Sequence, residues 1–173
     1  MKKSLSTIII ISMLAVLSGC TPKDEPLNAE IAGSTIPLQE VESADIIAES
    51  VFNIDAPKGA SNISYYTINY TIAQIEYALN DRNYVLRASS LIHGEELHGN
   101  TSPVVESLLT SYTDNDIVDI SAEIYLLEDG STAAIAEITR FDAYKYNITL
   151  LTKDEITLDE MSDEIIAVGK TIY

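Results

Sequence analysis

The sequence has few of the residues on which common active sites and disulfide scaffolds depend. Cys20 is the single cysteine in 173 residues, tryptophan is absent, and histidine occurs twice. One cysteine excludes a disulfide framework within the chain. The glycine patterns of phosphate-binding loops and dinucleotide-binding folds do not occur, and neither does the G-x-S-x-G turn of α/β-hydrolases. We therefore expect a protein that has no cofactor and is not an enzyme.

Positive charge is also scarce. The chain has 10 Lys and Arg against 27 Asp and Glu, which gives a formal net charge of −17 at pH 7. Such a surface repels the phosphates of nucleic acids, so we expect no nucleic-acid partner. It repels anionic lipid headgroups as well. Attachment to a membrane would therefore have to come from buried acyl chains.

The longest hydrophobic run is too short to span a membrane. Leu5–Leu17 has about 13 residues, whereas a transmembrane helix needs about 20. Lys2 and Lys3 precede it, as in a signal peptide. The run ends in Leu17-Ser18-Gly19-Cys20, which resembles the lipobox of bacterial lipoproteins. That resemblance implies a signal peptide over 1–19, cleavage before Cys20, and a lipid such as palmitate on its thiol.

The expected location is the extracytoplasmic face of the cell membrane or the outer membrane, and the sequence leaves both open. Residues 20–37 hold three of the five prolines and no sustained apolar period, which is typical of a flexible tether. Residues 38–173 are then long enough for one compact domain with a sizeable core.

The domain is predicted to be α+β, with a mainly antiparallel sheet of about five to six strands between two helices. Helical spacing of apolar residues predicts a short helix over 38–51. Two hairpins follow, one around 80–83 and one around the Asp-Gly pair at 129–130, which favours positive φ. Residues 104–109 fit a helix or a strand equally well. Tyr144–Leu151 alternates as a last strand.

The C-terminal helix has the clearest sequence signals. Thr157-Leu158-Asp159-Glu160 matches a capping box, in which the Thr and Glu side chains each accept a free backbone N–H. Apolar residues at helical spacing then form one stripe. That stripe consists of Leu158, Met161, Ile165, Val168 and Ile172.

The order of these elements over Ile36–Tyr173 resembles an uncharacterised extracytoplasmic domain of Gram-positive lipoproteins and membrane-anchored proteins. The resemblance includes the Ala56–Ala60 breaker and the strands around Ile72–Tyr77, Tyr84–Ala88 and Tyr146–Leu150. It implies a structural or interaction role outside the membrane, and it brings no catalytic residue.

One short segment could bind a metal. His93, Glu95, Glu96 and His98 lie within six residues, and imidazole and carboxylate suit zinc. The two histidines are five positions apart, not four as in zinc-binding helices, so they would converge only in a loop. These four residues are weak candidates, because a polar loop after a strand is the simpler explanation.

Tyrosine is unusually frequent, with ten tyrosines against two phenylalanines. Tyr65, Tyr66 and Tyr70 are close together in a predicted strand, where neighbouring side chains point to opposite faces. Tyrosine is common at binding surfaces because it combines a large rigid area with a polar tip. These three residues are weak candidates for an interaction surface, and tyrosines packed at a sheet edge are the alternative.

The expected function is non-enzymatic binding of a protein or peptide partner at the cell envelope. One alternative is a solute- or metal-binding lipoprotein. A second is a cell-envelope hydrolase that uses a pair of carboxylates, which 27 acidic residues could supply in many ways.

Overall fold

The computed structural model describes residues 28–31, 34–43, 53–114, 117–142 and 144–172. The predicted signal peptide and Cys20 lie outside these residues.

The described part of the chain forms ten strands and two helices. In chain order they are β1 (Asn28–Ile31), β2 (Ser34–Pro37), β3 (Gln39–Val41), β4 (Ser61–Ile68), β5 (Ile72–Leu79), β6 (Arg82–Ser89), α1 (Gly94–Leu97), β7 (Val104–Asp114), β8 (Val118–Leu127), β9 (Thr132–Arg140), β10 (Tyr144–Thr152) and α2 (Leu158–Gly169).

Eight of the strands form one antiparallel sheet in the order β3-β4-β5-β6-β10-β9-β8-β7. Two meanders, β4-β5-β6 and β7-β8-β9-β10, join where β10 pairs with β6. The predicted α+β class with a mainly antiparallel sheet is confirmed, but the prediction of five to six strands is wrong. The additional strands are β3 and β7. The first lies in a segment predicted as helix, and the second in one that the sequence left undecided.

The N-terminal part of the domain differs from the prediction. No helix begins near residue 38, because residues 39–41 instead pair with β4 as strand β3. The apolar spacing there gave a helical period, but a free sheet edge offers these residues backbone partners. Residues 44–51 of the predicted helix lie outside the described residues.

The segment predicted as a flexible tether is also partly ordered. Its last ten residues contain β1 and β2, which pair as a hairpin. Ala29 in β1 is buried with Ile68, Ile72 and Leu97 in a small second core. The hairpin therefore has an apolar anchor that its composition did not indicate, because the partners of Ala29 are distant in sequence.

The main core lies between one face of the sheet and α2. The predicted C-terminal helix is confirmed as α2. Its residues Met161, Ile165 and Val168 are fully buried against the sheet. The capping box is confirmed as well. Glu160 N donates to Thr157 Oγ1 at 3.2 Å, and Thr157 N donates to Glu160 Oε2 at 3.0 Å.

Both predicted hairpins are confirmed. Asn80 and Asp81, with positive φ, form the turn between β5 and β6. Gly130, with φ of +82°, lies in the turn between β8 and β9. Positive φ costs glycine nothing and asparagine or aspartate little, which explains why these residues occupy the turns.

A half-buried carboxylate lies where α2 meets the sheet. Burial raises the pKa of Glu164, the nearby Arg82 opposes this shift, and Asp163 and Glu160 add to it. Tyr77 and Tyr84 stack with ring centroids 5.2 Å apart, and the buried Tyr77 hydroxyl has no hydrogen-bond partner among the described residues. Burial, followed by the charge of Glu164, raises the pKa of both tyrosines. The negative charge of Glu164 therefore opposes folding.

Replacing Glu164 by glutamine should stabilise the protein at pH 7. Because folding raises the pKa of Glu164, its ionised form costs stability, and that cost grows as the pH rises above the pKa of an unfolded glutamate. Solvent screening limits the gain to a fraction of a kcal/mol. Urea unfolding at pH 7 and pH 4 measures it: the gain should be present at pH 7 and shrink at pH 4. A glutamine variant that is less stable at pH 7 would contradict the assignment.

Candidate partner-binding surface

The two edges of the large sheet differ in length and regularity. At one edge, β3 pairs with only three residues of β4, and a register shift interrupts the rest of β4 between Ser61 and Ser64. At the other edge, β7 is 11 residues long, and its register with β8 is regular from Glu106 to Asp114. Within the described residues, β7 has no strand on its outer side.

Large apolar side chains lie exposed along β7. Leu109 is 75% exposed, Val105 62% and Val104 53%. Natural sheets usually protect such an edge with lysine, proline or an inward-facing charge, because it can pair with another chain. The protection of β7 is limited to the register shift between Val104 and Glu106 and the exposed charge of Glu106, since its sequence VVESLLTSYTD contains no lysine, arginine or proline.

The start of β7 is fixed by a polar network in the turn between β8 and β9. Asn100 Nδ2 donates to Ser131 Oγ at 2.9 Å and to Asp129 Oδ2 at 3.2 Å. Hydrogen bonds from Ser131 are the main reason that the pKa of Asp129 falls to about 2. Glu128 N donates to the carbonyl of Pro103, directly before the strand, at 2.9 Å.

The inner face of β7 is held by the main core. Leu108 and Tyr112 are partly buried and pack against it. The Lys170 ammonium, just after α2, lies 3.7 Å from the Tyr112 ring centroid, a cation–π contact. The strand is therefore fixed on one face, while no described strand covers its outer edge and Leu109 is exposed on its other face.

The open face of β7 continues into a trough across the neighbouring strands, with a volume of about 480 Å³. The strand register determines which side chains lie next to one another on the floor of the trough. Leu109 lies opposite Glu123, and Glu123 lies opposite Ile135. In the next row, Ser121 lies opposite Glu137. Glu123 and Glu137 are thus diagonal neighbours on adjacent strands, within reach of one long side chain.

The start of α1 forms the far wall of the trough. His93 and Gly94 line it, and Gly94 is buried against Ile135 and Asn147. A Cβ atom at Gly94 would overlap Ile135 Cγ2. The absence of a side chain therefore lets α1 lie directly on the sheet.

The two histidines among the candidate metal residues have different environments. His93 is exposed at the trough, whereas His98 is half-buried, with Nδ1 3.1 Å from the carbonyl oxygen of Asn100. Burial lowers the pKa of His98, which favours its neutral form. Glu96 is exposed, and the side chain of Glu95 lies outside the described residues. Among the residues that the structure describes, no three His, Cys, Asp or Glu side chains form a group that could hold a metal ion.

The three candidate tyrosines have different environments. Tyr66 is buried, with 7% of its surface exposed. Tyr65 is half-buried and donates its hydroxyl to Asp55 Oδ1 at 2.8 Å. Tyr70 is 67% exposed in the turn between β4 and β5. Their interaction role stays a prediction, but they do not form a common exposed surface.

Neither the trough nor the β7 edge was predicted from the sequence. One signal was present, because four of the six residues at 104–109 are apolar and the segment contains no lysine, arginine or proline that would protect an edge. Among the described residues, no helix is long and apolar enough to cross a membrane.

Comparisons with protein families, curated proteins and solved structures find no match to this chain.

Proposed function

We propose that this chain is a lipid-anchored, extracytoplasmic, non-enzymatic domain that binds a protein or peptide partner at the cell envelope. The lipobox-like motif at Cys20 supports the anchor. The open β7 edge is the observation that carries the binding role. The partner would present an extended segment that adds to the sheet next to β7.

Strand addition suits this edge for a physical reason. Backbone N–H and C=O groups of an edge strand supply hydrogen bonds to any extended chain, and alternate side chains supply specificity. Val105 and Leu109 are exposed apolar side chains that an added strand would cover. Covering them removes apolar surface from water, at about 25 cal/mol per Å².

The alternatives have less support. A metal site would need His93 and His98 in one group, but the ring of His98 is half-buried beside Asn100 and Tyr125. A hydrolase would need two close carboxylates in an enclosed cleft. Glu123 and Glu137 lie in an open trough, which suits recognition of an extended chain better than exclusion of water.

Site-specific crosslinking in cells tests the proposal. A photoreactive amino acid at Leu109 should capture one main partner, and the same amino acid at the exposed Asp163 on α2 should not. Replacing Leu109 by lysine should reduce capture from Val105 at least tenfold, because the charge protects the edge. The melting temperature should change little, since Leu109 is 75% exposed. Equal capture from Asp163, or capture unaffected by lysine at Leu109, would contradict the proposal.

A further inference from the structure

We infer that the segment that adds to β7 is basic, with lysine or arginine side chains on the trough face that point toward Glu123 and Glu137 and apolar side chains on the other face. This inference rests on the proposed function and specifies its partner. It concerns the charge of the bound segment, whereas the proposed function concerns strand addition itself.

Acidic residues surround the open edge. Glu106 is exposed on β7, Glu123 and Glu137 line the trough, and Glu128 is exposed in the turn beside the start of β7. The one described lysine at the trough margin, Lys145, pairs with Glu137 at 2.9 Å. Both partners of that pair are more than half exposed, so it is weak and open to exchange. The negative charge around the edge attracts a basic segment and repels an acidic one.

The rows of side chains provide the space that such a segment needs. An added strand would lie about 5 Å outside β7, the usual spacing of paired strands. Its side chains on the trough face would alternate with those on the other face. Ser111 and Ser121 are small and exposed in the row that leads to Glu137. A long side chain could therefore lie over Ser111 with its carbon stem along Leu109 and direct its charge across Ser121 toward Glu123 and Glu137.

A second copy of this chain fits the edge less well. Two copies would each bring a formal charge of −17, and their acidic troughs would lie on the same side of the joined sheets. Like charges at an interface oppose association and fix partner choice. The edge therefore favours a partner of opposite charge over self-association.

Peptide binding to the full-length chain in neutral detergent tests this inference. The probe is a fluorescent seven-residue peptide of alternating lysine and valine, and binding is followed by anisotropy. Three peptides of equal length serve as comparisons. One alternates glutamate and valine, one alternates threonine and valine, and one alternates lysine and proline, which keeps the charge but cannot pair along β7.

The lysine–valine peptide should bind at least tenfold more tightly than each comparison peptide. Glu123→Gln combined with Glu137→Gln should weaken its binding about tenfold, whereas Asp81→Asn combined with Asp163→Asn should weaken it less than twofold. The control pair makes the same charge change at exposed positions away from the trough. Unchanged melting temperatures would show that each variant is folded.

The possible failures are distinguishable. Equal affinity for the lysine–valine and threonine–valine peptides would overturn the basic partner but leave strand addition intact. Equal affinity for the lysine–valine and lysine–proline peptides would overturn both, because charge alone would then explain binding. Equal weakening by the two pairs of substitutions would also overturn the inference. A dimer that forms through β7 and excludes the peptide would identify a second copy as the occupant instead.

Discussion

Replacing Met161 by alanine should lower the free energy of unfolding by about 2–5 kcal/mol, a large part of the stability of a domain of this size. Met161 is fully buried where α2 crosses the sheet. Its removal leaves a cavity between the helix and the strands, and the rigid sheet cannot collapse to fill it. Urea unfolding followed by circular dichroism measures the loss.

Leu158→Ala is the matched control for Met161→Ala. Leu158 is on the same helix and also packs against the core, but it is only partly buried. We expect its loss to cost clearly less than that of Met161. If the two substitutions were equally destabilising, or if Met161→Ala were nearly neutral, the position of α2 on the sheet would be wrong.

Replacing Gly94 by valine should displace α1 from the sheet and destabilise the protein by about 1–3 kcal/mol through overpacking. The first added atom already overlaps Ile135, and the backbone there lies close to Asn147. Since Gly94 also forms a wall of the trough, the displacement should change the chemical shifts of Ile135 and Asn147. Thermal unfolding and NMR spectra measure the two effects.

Glu96→Val separates this contact from the general cost of valine in a helix. Glu96 is in the same short helix but its side chain is exposed. The substitution should cost a few tenths of a kcal/mol, in line with helix propensity. Comparable losses at Gly94 and Glu96 would show that α1 does not depend on close contact with the sheet.

Local signals in the sequence were sufficient for the elements that form between neighbours in the chain. The capping box at Thr157 and Glu160, the apolar stripe of α2 and the turn at Gly130 each depend on residues within a few positions. Their side chains and backbone dihedral angles are set locally, so the pattern predicts them. The hairpin around residues 80–83 was predicted in the same way, because β5 and β6 are consecutive in the chain and share a short turn.

The remaining elements depend on partners that are distant in the chain. Residues 39–41 become a strand because β4 offers an edge, and β1 is ordered because Ala29 reaches Ile68 and Ile72. Neither contact produces a periodic pattern of apolar residues in the sequence. For the same reason, the sequence could not decide whether residues 104–109 form a helix or a strand, since the pairing with β8 decides it.

The candidate site was harder to predict than the fold. Glu123 and Glu137 become neighbours only through the register of β8 with β9. Tyr65 and Tyr66 were chosen as interaction candidates because of their residue type. In the sheet, Tyr66 is buried and Tyr65 is half-buried. The trough is thus a property of strand register, and no short motif encodes it.

Hydrogen exchange of the β7 amides, with and without the bound partner or the lysine–valine peptide, tests strand addition most directly. Outward-facing amides of β7 have no described strand partner, so they should exchange quickly in the free protein and slow down at least tenfold in the complex. Amides of the opposite edge, in β3 and β4, should keep their rates. Protection confined to α2 or to the β3 edge, with β7 unchanged, would contradict the account.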